Sequence, residues 1–399
     1  MLNTALRELK TYYIDQHHDI DLADDISLHS GYGGVLLFQA LLSKSSPGKK
    51  YEKAIEATFL RIINQIEHPS HELSPTFCDG LAGVGWLLMY LNKIDILDTE
   101  IDDFFGDVDL YLSDHLDKML SDHNYDLLHG AMGIALYFLK RKKFDEVNKV
   151  IDYLYLNAVS GNGEFKWSRF EKVYEKDIYD LGLAHGIAGI LHFLSKCALQ
   201  NVNYDLCKEM ISGGIAFYRN NIQDDDELGS YYSNYMFCED YNERKDMHFS
   251  RLAWCYGDLG ILYTLYKIAK TFNDGESMGI FEAMLLKSAC RKEFEQTRVE
   301  DIGLCHGSSG VGVLYQSLFM ESGNRVFKEA GDFWLSKSLG QMYSSGGDKD
   351  QLTQPGLNDH PKELLKGLAG TGIFLLSQSF CDPEISGDLF SWSECIFLC

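Results

Sequence analysis

HGIAGILHFL, residues 185–194, shows the pattern of the whole chain: a glycine, two residues, a second glycine, then large apolar residues. Six further copies read SGYGGVLLF (30–38), DGLAGVGWLL (79–88), HGAMGIALYF (129–138), YGDLGILYTL (256–265), HGSSGVGVLY (306–315) and KGLAGTGIFLL (366–376). Their first glycines are Gly31, Gly80, Gly130, Gly186, Gly257, Gly307 and Gly367, at intervals of 49, 50, 56, 71, 50 and 60 residues. Each interval has room for two helices and their connections.

The runs after the glycines, such as GVGWLLMYL from Gly83, are apolar on every side, which marks helices buried all round. The segments between are one-sided. Ile55, Phe59, Ile62 and Ile66 share a stripe in one of them, and Val147, Val150, Ile151 and Leu154 in another. Fully buried helices alternating with amphipathic ones predict an all-α fold, an α/α toroid of about fourteen helices, seven inner and seven outer. Glycine lets the inner helices converge and permits a tight turn into each. An open solenoid is disfavoured because the first and last copies are as apolar as the middle ones, with no polar capping unit.

The composition agrees with a single domain over residues 1–399. Apolar residues make up 45% of the chain and charged residues 24%, as expected of a globular protein with a large core. Six prolines leave helices little interrupted. A net charge of -23 argues against nucleic acid as a partner. No apolar run approaches the ~20 residues of a membrane span, so the chain is not expected to be transmembrane. MLNTALRELK at the N-terminus reads as an amphipathic helix rather than a secretion signal, and a cytoplasmic protein is the expectation. Ten cysteines in so long a chain do not form a disulfide framework. Between the fourth and fifth copies lies an acidic, tyrosine-rich insertion at about residues 220–250, whose conformation the sequence does not assign.

What breaks the symmetry of the repeat points to chemistry. The residues just before the first glycines are Ser30, Asp79, His129, His185, Tyr256, His306 and Lys366, a polar set at the start of every inner helix. Cys255 and Cys305-His306 lie 50 residues apart, one repeat. Two thiolates and an imidazole match zinc preferences and leave a fourth tetrahedral position open, as in catalytic sites. Such a zinc is a modest Lewis acid, better suited to activating a thiol than to hydrolysis. The plainer alternative is three unrelated buried residues. His185 suits an acid or base, Asp126 in YDLLHG could reach the same rim, and Arg251 could stabilise developing negative charge. Each has a plainer counterpart as a structural histidine, a loop cap or a surface charge. Spacing alone does not rank His185 above His129.

These repeats, together with RLAWCYG from Arg251, GLCHGSSG from Gly303, LAHGIAG from Leu183 and YDLLHG from Tyr125, resemble the lanthionine synthetase C-like family from about Ser30 to Gln378. The resemblance implies a double ring of helices and one zinc ion held by Cys255, Cys305 and His306. It implies a reaction in which a cysteine thiolate adds to dehydroalanine or dehydrobutyrine of a dehydrated precursor peptide, closing (methyl)lanthionine rings. His185 resembles the family's acid/base histidine and Asp126 its partner, while Arg251 and Tyr256 match further active-site positions. His129 matches none and ranks lower. A separate dehydratase, an export transporter and a membrane-associated biosynthetic complex are the implied partners.

Two other readings compete. A non-cyclising relative that binds glutathione or a protein partner would carry the same zinc residues. Another α/α toroid enzyme would need either paired catalytic carboxylates or a basic diphosphate site, and neither stands at the motif positions.

Overall fold

The structure, a computed structural model, describes residues 1–97, 102–223, 226, 229–239, 241, 248–343, 361–378 and 391–398. In chain order the first helices are α1 (Leu2–Lys10), α2 (Tyr32–Ser45), α3 (Lys49–Glu67), α4 (Leu81–Lys93), α5 (Asp102–Ser121), α6 (Ala131–Lys140) and α7 (Phe144–Asn157). Four short strands follow, β1 (Val159–Gly161), β2 (Glu164–Lys166), β3 (Arg169–Glu171) and β4 (Lys176–Asp180), then α8 (Ile187–Leu199), α9 (Tyr204–Asn220) and β5 (Tyr235–Phe237). The rest are α10 (Asp258–Thr271), α11 (Gly275–Ser288), α12 (Phe294–Thr297), α13 (Ser308–Ser322), α14 (Arg325–Met342) and α15 (Leu368–Ser377). These elements sort into two compact units, Met1–Leu112 with Glu300–Val313 and Glu329–Cys399, and Ser113–Val299 with Leu314–Lys328.

Each glycine-led run is a helix that begins just after its first glycine: α2, α4, α6, α8, α10, α13 and α15. Their burial is all-round, as the uniformly apolar sequence demands; in α8 everything from Ile187 to Ser195 is buried. The intervening helices bury one stripe. In α7 that stripe is Val147, Val150, Ile151 and Leu154, all fully inaccessible. In the first unit α2 packs on α3, α4 and α15, and α1 packs on α15. In the second, α8 packs on α6, α9 and α10, while α6 packs on α7 and α10 on α11.

Six of the seven lead-in loops share one construction. Six residues before the first glycine, a backbone carbonyl accepts from the first N–H of the inner helix. Asp25 O takes Tyr32 N at 2.8 Å, Asn124 O takes Ala131 N at 3.0 Å and Asp301 O takes Ser308 N at 2.9 Å. A helix start leaves such donors unpaired, and here the loop rather than a side chain supplies a partner. Where that residue is aspartate, one carboxylate oxygen also closes the loop on the N–H two residues on, as in Asp25 to Ser27 (2.8 Å), Asp180 to Gly182 (3.0 Å) and Asp301 to Gly303 (2.8 Å).

The loop folds back so closely that glycine is a steric requirement. A Cβ on Gly310 would lie 1.9 Å from Leu304 O, inside any tolerable contact. The turn expected at the first glycine is mostly extended backbone, with φ of -119° at Gly186; only Gly257, at +146°, needs glycine's conformational freedom.

Backbone hydrogen bonds stitch successive loops together. In the first unit Cys305 N donates to Leu365 O (2.9 Å), Leu365 N to His29 O (3.1 Å) and His29 N to Cys78 O (3.4 Å). The last repeat is thereby joined to the first, and the nearest atom to a Cβ on Gly372 would be Phe38 Cζ. In the second unit Leu183 N and Ala184 N both donate to Cys255 O, at 3.1 and 3.2 Å.

The helical expectation omitted two small antiparallel sheets, the hairpin β1-β2 and the three strands β3-β4-β5. Strands of three to five residues are too short to show a two-residue period. Parts of the insertion, residues 224, 225, 227, 228, 240 and 242–247, lie outside the described residues. Its remainder is well tied down. β5 pairs with β4, Tyr231 N and Tyr232 N donate to the inaccessible Asp258 carboxylate, and Arg291 pairs with the same group.

Candidate active site

The three residues before the first glycines of the third, fourth and fifth repeats come together in the second unit. The rings of His129 and His185 stack with centroids 5.5 Å apart, and His185 stacks on Tyr256 at 5.3 Å. Asp126 closes the cluster, with Oδ2 lying 2.7 Å from His185 Nδ1. Its Oδ1 accepts from Leu128 N (2.8 Å) and His129 N (2.7 Å). The carboxylate is therefore fixed to its own loop through one oxygen and to the imidazole through the other, which directs Nε2 away from Asp126.

Electrostatics follow from this pairing. Burial opposes the charging of His185, but the hydrogen bond and charge of Asp126, with Asp180 adding, outweigh it and hold the imidazole above its ordinary range. Burial likewise opposes ionisation of Asp126, and the bonds from His185 and the His129 backbone more than offset it, holding the carboxyl below its usual value. His185 is thus biased toward the protonated form, as a proton donor needs.

A cavity of about 820 Å³ opens beside the pair, lined by Tyr125, Tyr153, Arg169, Phe170, His185 and Tyr256 among others. Sequence reasoning missed Arg169 and Asp180. Asp180, only 3% exposed, ends β4 and accepts from Tyr256 Oη at 3.2 Å and from Arg169 Nη2 at 2.8 Å. The signal was available: Asp180 stands six residues before Gly186, the slot of Asp25 and Asp301. Arg251 occupies that slot in the fifth repeat. It is half-buried, and among the described residues no hydrogen bond or ion pair of its guanidinium is found.

The three residues expected to bind zinc fall in different units. Cys255 is buried in the second, its carbonyl bonded to the loop that carries His185. Cys305 and His306 are half-buried in the first, where His306 Nδ1 lies 2.5 Å from Asp301 Oδ2. A carboxylate on one ring nitrogen is the usual support of a metal-binding histidine, directing the other nitrogen outward. Two thiols and a carboxylate-oriented imidazole are a donor set that suits zinc.

The family sequence model described as lanthionine synthetase C-like protein matches residues 23–385, and the chain belongs to this family. The nisin biosynthesis protein NisC of Lactococcus lactis subsp. lactis is 21% identical over 307 residues, covering 72% of each chain. The solved structure of nisin cyclase superposes with a TM-score of 0.80 at 17% identity, covering 100% of this chain and 97% of that one. That likeness assigns the fold class expected from the repeats, the α/α toroid. Among the described residues no helix is long and apolar enough to cross a membrane.

Proposed function

We propose that the protein is a lanthipeptide cyclase, which adds cysteine thiolates to dehydroalanine or dehydrobutyrine in a dehydrated precursor peptide. The observation that carries this reading is the Asp126–His185 pair at the edge of a cavity large enough for a peptide turn. Family membership and the likeness to nisin cyclase support the same reaction class.

In this mechanism the cavity holds the peptide with its dehydro residue near His185. The substrate thiol loses its proton and its sulfur bonds to Cβ, while the π electrons of the alkene move onto Cα and the neighbouring carbonyl. His185, charged and held by Asp126, gives the Nε2 proton to Cα, and the thiol's proton restores the balance. The Arg251 guanidinium steadies the enolate oxygen. Cys255, Cys305 and His306 would hold one zinc ion, whose contribution when bound is to favour the thiolate of the incoming cysteine. Dehydration of serine or threonine is left to a separate dehydratase and removal of product to an exporter, with the cyclase working in the cytoplasm beside them.

The test uses a dehydrated precursor peptide with free cysteines. The zinc-loaded enzyme removes the thiols without changing the peptide's mass, and thiols that persist would refute cyclisation. The purified protein carries about one zinc per chain, lost in Cys305→Ala. A protein that binds glutathione yet leaves the peptide thiols intact would be the non-cyclising relative.

A further inference from the structure

We propose that Asp180 and Arg169 are positioning residues that act through Tyr256 to set the plane of the His185 imidazole. The inference rests on the reading of His185 as the proton donor.

Asp180 is buried, and both of its oxygens are engaged. Oδ1 accepts from Gly182 N at 3.0 Å, which closes the lead-in loop. Oδ2 accepts from Arg169 Nη2 at 2.8 Å, Arg169 Nε at 3.2 Å and Tyr256 Oη at 3.2 Å. Arg169 is anchored from its other side by Glu171 Oε2, 2.7 Å from Nη1. A buried carboxylate is costly unless it is fully paired, so loop closure alone is a weak reason to place one here. Its second oxygen instead fixes the phenol of the residue that stacks on His185.

The imidazole needs two constraints. The bond to Asp126 holds Nδ1 but leaves the ring able to roll about that contact. Contact with the Tyr256 ring, together with the stacked His129 ring, removes the roll, and of the two Tyr256 is the one anchored by Asp180. Because the phenolic hydrogen points to Asp180, Tyr256 serves as a wall and not as an acid. The plane of His185 decides from which side Nε2 approaches Cα, hence the configuration of the carbon that receives the proton. Arg169 and Asp180 therefore govern product stereochemistry without touching the substrate's reacting atoms.

The experiment measures cyclisation by the zinc-loaded enzyme and by its Arg169→Gln, Arg169→Lys, Tyr256→Phe and Arg169→Gln/Tyr256→Phe variants. Both glutamine and phenylalanine variants should lose kcat by roughly tenfold, and should release thioether of the opposite Cα configuration beside the normal one. Arg169→Lys should restore much of the stereochemical purity, and the double variant should be no worse than Tyr256→Phe. A single diastereomer from every variant, or losses that multiply in the double variant, overturns the proposal. If the unaltered enzyme leaves the peptide thiols intact, the cyclase reading fails instead. The brace is then tested by diethyl pyrocarbonate modification of His185, which should quicken severalfold in Arg169→Gln; an unchanged rate overturns it.

Discussion

The lead-in loops of the second and third repeats are built alike and differ by one atom that matters. Four residues before the first glycine, Thr76 Oγ1 accepts from Asp79 N at 3.1 Å; in the same slot Asp126 Oδ1 accepts from His129 N at 2.7 Å. Threonine has a single oxygen, and the turn consumes it. Aspartate has a second, and that one reaches His185. The fourth and sixth repeats do the same two residues earlier, where Asp180 and Asp301 close their loops with Oδ1 and lend Oδ2 to Tyr256 and His306. A structural turn whose cap carries a spare acceptor can thus hold a second side chain, and under the proposed function that side chain does chemistry.

That comparison can be broken in a graded series. The largest effect belongs to the imidazole: His185→Ala should cost 10²- to 10⁴-fold in kcat with zinc content retained, and near-full turnover would remove it as the acid. Next come two changes at Asp126. Asp126→Ser keeps a turn acceptor of the Thr76 kind and should fold normally while losing about tenfold or more in kcat. Asp126→Ala removes the turn bond as well and should in addition unfold about 1 kcal/mol more easily in urea. Equal stabilities of the two variants would show that the turn oxygen contributes nothing.

A pH effect of intermediate size follows. His185 has its pKa raised on folding, so its contribution to stability is complete below about pH 6.5 and fades as the pH climbs through the folded value. Asp126 has its pKa lowered, so its contribution is complete above about pH 4 and fades as the pH falls through the folded value. The alkaline limb of the rate profile should move to lower pH in Asp126→Ser, where the largest offset to burial of the imidazole is lost and Asp180 remains; a limb that stays in place contradicts the pairing. The smallest effect is expected at the loop without a spare acceptor. Thr76→Ala should cost about 1 kcal/mol of stability and leave kcat unaltered, checked by urea denaturation alongside turnover.

Much of this was legible in the sequence because repetition made it so. Seven glycine pairs predict seven buried helices; the slot before the first glycine singles out His185 beside His129, Asp126 lies four residues before Gly130, and the role of Tyr256 comes from the resemblance. The zinc ligands were suggested by residue type and by the resemblance. Asp180 and Arg169 escaped notice because their roles depend on a sheet of very short strands between α7 and α8. Aspartate recurs six residues before the first glycine at Asp25, Asp180 and Asp301, and this regularity is what marks Asp180 in the sequence. The reason for the second glycine at Gly83, Gly189, Gly260, Gly310 and Gly370, a carbonyl folded back upon the helix, is a three-dimensional fact with no sequence signature beyond glycine itself.

The seam between α15 and α2 has a consequence for how the protein is made. Phe38 emerges from the ribosome early, whereas Gly372, which it faces, is synthesised more than three hundred residues later. Until then one flank of α2 lacks the neighbour it has in the folded protein, and apolar surface left bare in this way favours sticking between newborn chains.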